Sequence, residues 1–221
     1  MDNSSPKIYT EFLPISRADM EARGWEQLDF VVVGGDAYVD HPSFGPTVIA
    51  RVLEAEGFRV AILSQPDYRS AEDFRRFGRP RLGFLVTAGN IDSMVAHYTV
   101  SGRRRTYDYY SPGGEMGKRP DRAVIVYCNR IREAYGDVPI IIGGLEASLR
   151  RFAHYDYWDD KVRRSALVDA GADILVYGMG ETACIEIARR LKKKQSISSM
   201  TDIRGTAVMV SDPSLCAYDS V

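Results

Sequence analysis

Five short apolar segments, separated by amphipathic ones, are the feature that most constrains the fold of this chain. They lie at 28–33, 59–63, 82–86, 139–142 and 173–177, and each is rich in valine, isoleucine or leucine without strict alternation. Such segments are typical of strands that are buried on both faces of a parallel sheet. Between them, apolar residues recur at helical spacing around 48–53, 124–131 and 184–191. Strand therefore alternates with helix, which predicts right-handed crossover connections.

The predicted fold class is α/β, with an open, mainly parallel five-stranded sheet and helices on both faces, of the flavodoxin-like type. The chain has 221 residues, which suits one large domain with extensions. We expect this domain to span 28–195, after an N-terminal extension at 1–27. Residues 196–221 are expected to begin a linker, in which a further strand at 206–210 is a candidate.

Charge and cysteine content exclude several classes of protein. Lysine and arginine number 29 against 30 acidic residues, so no global positive charge indicates a nucleic-acid partner. An RNA-binding function through Arg103–Arg105 and the nearby tyrosines is the weakest alternative. The three cysteines are far apart and indicate a reducing compartment, the cytoplasm. No apolar segment approaches the roughly 20 residues of a membrane helix, and the first residues lack a hydrophobic signal core.

Glycine-bearing turns follow the predicted strands, and the carboxyl ends of parallel strands meet at one edge of a sheet. In open α/β sheets this edge binds ligands. Backbone N–H groups can approach a ligand closely at glycine, and a helix N-terminus favours an anion. The candidate cofactor-binding residues are Gly35, Asp36, Asp40, His41, Asn90, Gly143, Gly144, Gly180 and Glu181. No catalytic residue and no metal ligand is assigned.

Simpler interpretations of these residues stay open. The glycines can serve only to make tight turns, Asp40 can cap a helix, and His41 before proline can fix a turn. A P-loop lysine and a complete G-x-G-x-x-G are both missing, which argues against an ATPase or an ordinary NAD enzyme. The segment 150–164 mixes arginines, carboxylates and aromatic rings. It can stack bases, but an ion-pair network that docks it against another domain is the preferred interpretation.

Several long strings of residues closely resemble the N-terminal region of the YgiQ family of radical SAM proteins, in the same order along the chain. The strings are GDAYVDHPSFG (35–45), GNIDSMV (89–95), SPGG (111–114), GKRPDR (117–122) and EASLRR (146–151). The resemblance covers about 12–210. It implies a cobalamin-binding-type α/β domain that is followed by a radical SAM barrel, and that barrel holds a [4Fe-4S] cluster and S-adenosylmethionine. The family's substrate is unassigned.

The C-x-x-x-C-x-x-C loop that holds such a cluster is not found in this chain, since Cys128, Cys184 and Cys216 are widely separated. The resemblance therefore implies a fragment without the barrel, which performs no radical chemistry alone and helps to shape a substrate or cofactor site. The alternative is a stand-alone flavodoxin-like module that binds cobalamin or a nucleotide. The familiar D-x-H-x-x-G motif for cobalamin is altered here, since Asp40 directly precedes His41, and this argues against axial ligation by His41.

Overall fold

A computed structural model of the protein describes residues 12–212. Within this range, six strands form one sheet and two strands form a separate hairpin. The strands are β1 (Phe30–Gly34), β2 (Val60–Ser64), β3 (Gly83–Thr87), β4 (Ile140–Ile142), β5 (His154–Asp156), β6 (Lys161–Arg163), β7 (Ile174–Val176) and β8 (Thr206–Val208). The helices are α1 (Arg17–Ala22), α2 (Gly45–Ala55), α3 (Ser93–His97), α4 (Ala123–Tyr135), α5 (Gly144–Leu149), α6 (Ala166–Ala170) and α7 (Glu181–Lys192).

The strand order of the main sheet is β2-β1-β3-β4-β7-β8, and every pair is parallel except β7 with β8. The predicted fold class is confirmed, and the five apolar segments form β2, β1, β3, β4 and β7. The sheet has six strands instead of the predicted five, because the candidate strand at 206–210 forms β8 and pairs with β7. Strand β8 is only partly buried at the sheet edge, so it lacks the continuous apolar pattern of the central strands.

Helices cover both faces of the sheet, which explains why the central strands are apolar at every position. Val31 and Val33 face one core, which contains the apolar stripes of α4 and α6. Phe30 and Val32 face the other core, which contains those of α2 and α7. Successive side chains of a strand point to opposite faces, so both sets of residues are buried. Helices α2 and α7 lie side by side on this second face of the sheet.

Both flanking segments contact the α/β core. Leu13 is 1% exposed, and its N–H donates to the Tyr38 hydroxyl at 3.0 Å. Met20 of α1 packs into the core that contains α4. After α7, Met200 is buried in the opposite core. Within residues 12–212, every helix is too short or too polar to span a bilayer.

Candidate functional site

The sheet reverses its strand order between β1 and β3, because the chain leaves β1 for β2 on one side and later adds β3 on the other. At this point the turns after the two strands are tied together. The Asn90 Nδ2 donates to the Ser43 carbonyl at 3.1 Å, and the Asn90 Oδ1 accepts from the Gly45 N–H at 3.3 Å. In open α/β folds, the crevice at such a switch point is the usual ligand site.

A cavity of about 330 Å³ opens at this edge of the sheet. Its floor consists of aliphatic side chains from four adjacent strands: Val32, Leu85, Ile141 and Val176. Helices α2 and α7 form its sides, and the turns after β3, β4 and β7 form its rim. An apolar floor with few polar groups at the rim is the usual composition of a small-molecule site.

Backbone donors lie at the rim where α7 begins. Gly180 is the N-cap residue and offers no side-chain hydrogen bond, so the N–H groups of the first turn lack a side-chain acceptor. Gly180 and Glu181 both line the cavity. An N-terminus of this kind favours a hydrogen-bond acceptor on a ligand, and the Glu181 side chain adds an acidic group to the same rim. The rim therefore complements the apolar floor.

Five of the nine predicted site residues line this cavity, and four do not. The residues in the lining are Asn90, Gly143, Gly144, Gly180 and Glu181. The residues outside it are Gly35, Asp36, Asp40 and His41. All four belong to the loop after β1, which folds away from the cavity until Pro42 and Ser43 reach its wall.

Asp36 is turned into the protein interior rather than toward a ligand. Its Oδ1 accepts from Arg119 Nη1 at 2.8 Å, and its Oδ2 accepts from the Asn90 N–H at 2.6 Å. Burial raises the pKa of the Asp36 carboxyl even though Arg119 is adjacent. Arg119 also donates to Asp108 at 2.8 Å and is itself fully buried. This network fastens the long connection 88–122 to the switch point.

Asp40 and His41 have separate partners. Asp40 forms an ion pair with Arg51, and this hydrogen-bonded guanidinium holds the pKa of the Asp40 carboxyl below its usual value. His41 is exposed, and its Nδ1 lies 2.7 Å from the Ser43 Oγ. The aspartate therefore does not orient the histidine ring, as the D-x-H-x-x-G pattern would require.

The glycines at the rim are needed for close packing between neighbouring turns. Gly144 has a φ of +80°, and a Cβ there would overlap the Thr87 Oγ1. A Cβ at Gly180 would lie 3.0 Å from the Val176 Cγ1. These contacts agree with the interpretation of the glycines as turn residues. A glycine at such a turn is thus explained by packing, whatever the cavity binds.

Sequence reasoning missed the apolar part of the site. Ile49 of α2 and Cys184 of α7 line the cavity, and so do the exposed side chains of Leu145 and Met179. The apolar stripes of α2 and α7 were recognised only as core. The first turns of α2 and α7 lie at the carboxyl edge of the sheet, and this position could have identified Ile49 and Cys184 as lining residues of the cavity.

The cysteines of the described range do not share a site. Cys128 packs in the core that contains α4, and Cys184 packs in the core on the opposite face of the sheet. Burial raises the pKa of both thiols, and that of Cys184 rises to about 12. Among residues 12–212, no three histidine, cysteine, aspartate or glutamate side chains are grouped as a metal site would need. Cys216 lies outside the described residues.

The segment 150–164 contains the β5–β6 hairpin, whose carboxylates form ion pairs with Arg122 and Arg163, and docking of this segment against another domain stays a prediction. Arg122 Nη2 lies 2.8 Å from Asp156 and 2.9 Å from Asp159, and Arg163 Nη1 lies 2.6 Å from Asp159. Asp156 is 3% exposed, and its Oδ1 also accepts from the Trp158 N–H at 3.0 Å. The charges of the hairpin are thus largely paired internally.

A mainly parallel sheet with helices on both faces and an apolar cavity at its switch point defines an open α/β domain. The chain belongs to the radical SAM N-terminal family, whose model matches residues 12–220.

Curated relatives are much longer than this chain. A UPF0313 protein of Clostridium botulinum (strain Loch Maree / Type A3) is 59% identical over 202 residues, which cover 91% of this chain and 31% of that protein. A UPF0313 protein of Clostridium perfringens (strain SM101 / Type A) is 62% identical over 196 residues, which cover 89% and 30%. The chain therefore spans about a third of the length of the curated relatives it matches.

Solved structures of TsrM, a radical S-adenosylmethionine methyltransferase from Kitasatospora setae, share the fold. One, with cobalamin and a [4Fe-4S] cluster bound, has a TM-score of 0.52 at 20% identity and covers 84% of this chain and 30% of TsrM. Another, with tryptophan substrate and the SAM analog aza-SAM, has a TM-score of 0.51 at 20% identity and covers 83% and 29%. At this level of identity the likeness concerns the fold.

Proposed function

We propose that this chain is the N-terminal domain of a YgiQ-type radical SAM iron–sulfur enzyme and that it binds the nucleotide-bearing part of a cofactor at the switch-point cavity. The observation that carries the proposal is the cavity itself, with its aliphatic floor and its helix N-terminus at the rim. In this proposal the chain supplies binding and shape. Radical chemistry belongs to a domain that holds a [4Fe-4S] cluster and S-adenosylmethionine.

The cavity suits the nucleotide tail of cobalamin. A flat, weakly polar heterocycle can pack on Val32, Leu85 and Ile141, and the phosphate and ribose can accept hydrogen bonds at the rim near Gly180. Cobalamin supplies organometallic cobalt chemistry when it is bound. TsrM, whose α/β fold this chain shares, has a structure with cobalamin bound, which supports the same choice of ligand. A simple nucleotide is the competing ligand.

The mouth of the cavity offers a surface for the rest of the polypeptide. Leu145 and Met179 line the cavity and are 46% and 85% exposed, and Leu149 and Phe152 beyond them are 63% and 67% exposed. A group of exposed apolar side chains beside a pocket is typical of an interaction surface. We assign this surface, named the mouth surface, to the radical SAM domain. The greater length of the curated relatives supports this assignment.

Equilibrium binding of hydroxocobalamin to the purified chain tests the proposal. The substitution Ile49→Trp places a large ring at the cavity wall, and we expect it to weaken binding at least about tenfold. Val52→Trp is the matched control, because Val52 is three residues further along α2, is also partly exposed and does not line the cavity. Its affinity should equal that of the unmodified chain.

Three results would contradict parts of this proposal. Failure of both hydroxocobalamin and adenosine monophosphate to bind would remove the cofactor role. Binding of adenosine monophosphate alone would replace cobalamin with a nucleotide. Equal weakening by Ile49→Trp and Val52→Trp, with both variants folded by circular dichroism, would place the ligand away from the cavity.

A further inference from the structure

A second cavity, of about 580 Å³, lies beside the β5–β6 hairpin and shares no lining residue with the switch-point cavity. Four aromatic residues line it: Tyr98, Tyr155, Tyr157 and Trp158. We name this site the hairpin cavity. Neither the cofactor proposal nor the packing of the sheet uses it.

The aromatic rings of the hairpin cavity are arranged around Trp158. The Tyr157 ring centroid lies 5.9 Å from that of Trp158 at an interplanar angle of 88°, and the Tyr98 centroid lies 6.5 Å away at 51°. Tyr155 and Tyr157 are about 60% and 58% exposed. Because these rings are inclined to one another rather than stacked, and Tyr155 and Tyr157 are exposed, π-faces are available to an organic cation.

Two carboxylates of the same cavity have no lysine or arginine partner among the described residues. Asp121 accepts from the Tyr98 hydroxyl at 2.7 Å, and its other oxygen lies 2.5 Å from the His97 Nδ1. Asp160 accepts from the Tyr155 hydroxyl. The three partners, Tyr98, His97 and Tyr155, are aromatic side chains with polar groups, and none of them is a lysine or an arginine.

The other charges that line the cavity are already paired. Asp159 contacts both Arg122 and Arg163, and Arg122 also contacts the buried Asp156. Burial acts to raise the pKa of the Asp121 carboxyl, but its hydrogen bonds with His97 and Tyr98 and the nearby Arg104 hold that pKa below its usual value. Asp160, whose carboxylate has no lysine, arginine or histidine partner among the described residues, therefore remains as an unpaired negative charge beside the rings.

We propose that the hairpin cavity binds an organic cation, either a quaternary ammonium compound or the guanidinium of an arginine side chain. A cation over an aromatic face is attracted by the ring quadrupole, and a nearby carboxylate adds Coulomb attraction. Both classes of cation combine a positive charge with a weakly hydrated surface, which suits tyrosine and tryptophan walls. The inference is independent of the cofactor proposal.

Calorimetric titration of the purified chain with two cations tests the inference and distinguishes their sources. Tetramethylammonium represents a free quaternary ammonium compound, and N-acetyl-arginine amide represents a protein side chain. Their neutral analogues, tert-butanol and N-acetyl-citrulline amide, have a similar shape without the charge. We expect one cation to bind saturably and at least about tenfold more tightly than its neutral analogue.

Three variants locate the binding. Asp160→Asn removes one carboxylate charge, and asparagine tolerates the left-handed backbone at this position, where φ is +49°. Tyr157→Leu removes one exposed ring. Each should weaken binding about fivefold. Asp137→Asn, at an exposed carboxylate in the loop before β4, is the matched control and should leave the affinity unchanged.

Tight binding of the arginine amide with weak binding of tetramethylammonium would support a protein segment as the source, and the reverse would support a free compound. The inference would be overturned if neither cation bound more tightly than its neutral analogue. It would also be overturned if Asp160→Asn and Tyr157→Leu both bound like Asp137→Asn, since binding would then lie elsewhere.

Discussion

Arg119 and Asp36 form an ion pair in the protein interior, although 83 positions separate them in the sequence. Their side chains are 0% and 3% exposed, and Nη1 lies 2.8 Å from Oδ1. Arg119 Nη2 binds Asp108 in the same way, so one guanidinium joins two carboxylates. The long connection is thus fixed to the turn after β1, and through Asn90 to the wall of the proposed cofactor cavity.

Removal of this guanidinium should strongly destabilise the fold. Arg119→Met leaves two buried carboxylates without their cation, and loss of one partner of a buried pair typically costs about 3–5 kcal/mol. We expect a decrease of that size in the free energy of unfolding from urea denaturation. Arg69→Met is the control, because its ion pair with Asp67 is largely exposed and should contribute less than about 1 kcal/mol. Equal effects would refute the structural role of Arg119.

Substitutions at two glycines of the carboxyl edge can distinguish the energetic cost of backbone strain from the cost of steric overlap. Gly144 and Gly178 have φ values of +80° and +71°, but only at Gly144 would a Cβ overlap a neighbour, the Thr87 Oγ1. Gly178→Ala should therefore cost about 1 kcal/mol of unfolding free energy. Gly144→Ala should cost about 3 kcal/mol, because overlap adds to the strain. Thermal and urea unfolding of both variants measure the difference. Equal losses of unfolding free energy would show that the Thr87 side chain moves aside without a measurable cost.

The central sheet could be predicted because its strands are buried on both faces and have a local signal. The short elements could not be predicted. Helices α5 and α6 have six and five residues, which are too few to show helical periodicity. The strands of the β5–β6 hairpin mix charged, polar and apolar residues and so lack an apolar pattern. The site was predicted from glycines and polar residues after strands. That logic found Glu181 and Asn90, but it also selected Asp36, whose burial depends on Arg119 far along the chain. Long-range pairing of this kind has no local sequence signal.

The Asp40–Arg51 ion pair predicts a component of stability that depends on pH. Arg51 lowers the pKa of Asp40 in the folded state, so the ionised carboxylate favours folding. This stabilisation is complete above the unfolded pKa of about 3.9 and is lost as the pH falls through the folded pKa. Asp40→Asn should lose stability at pH 7 and little at pH 2. The unfolding free energy at the two pH values measures this, and a pH-independent loss would contradict it.

Methionine oxidation can test whether the mouth surface is covered in a longer polypeptide. Met179 is 85% exposed, whereas Met20 and Met94 are 2% and 3% exposed. In the isolated chain, hydrogen peroxide should therefore oxidise Met179 far faster than the two buried methionines. Fusion to the radical SAM domain should slow Met179 oxidation about tenfold, as peptide mass spectrometry would show. An unchanged rate in the longer polypeptide would place the interface elsewhere.

His41 should not be the cobalt ligand if the chain binds cobalamin. The ring is exposed outside the cavity, its Nδ1 lies 2.7 Å from the Ser43 Oγ, and Asp40 is paired with Arg51 instead of supporting it. We expect the absorption spectrum and affinity of bound hydroxocobalamin to be the same in His41→Ala as in the unmodified chain. Asn90→Ala is the contrasting variant, since Asn90 lines the cavity and ties its two turns together. It should weaken binding, whereas a spectral shift in His41→Ala would identify that histidine as an axial ligand.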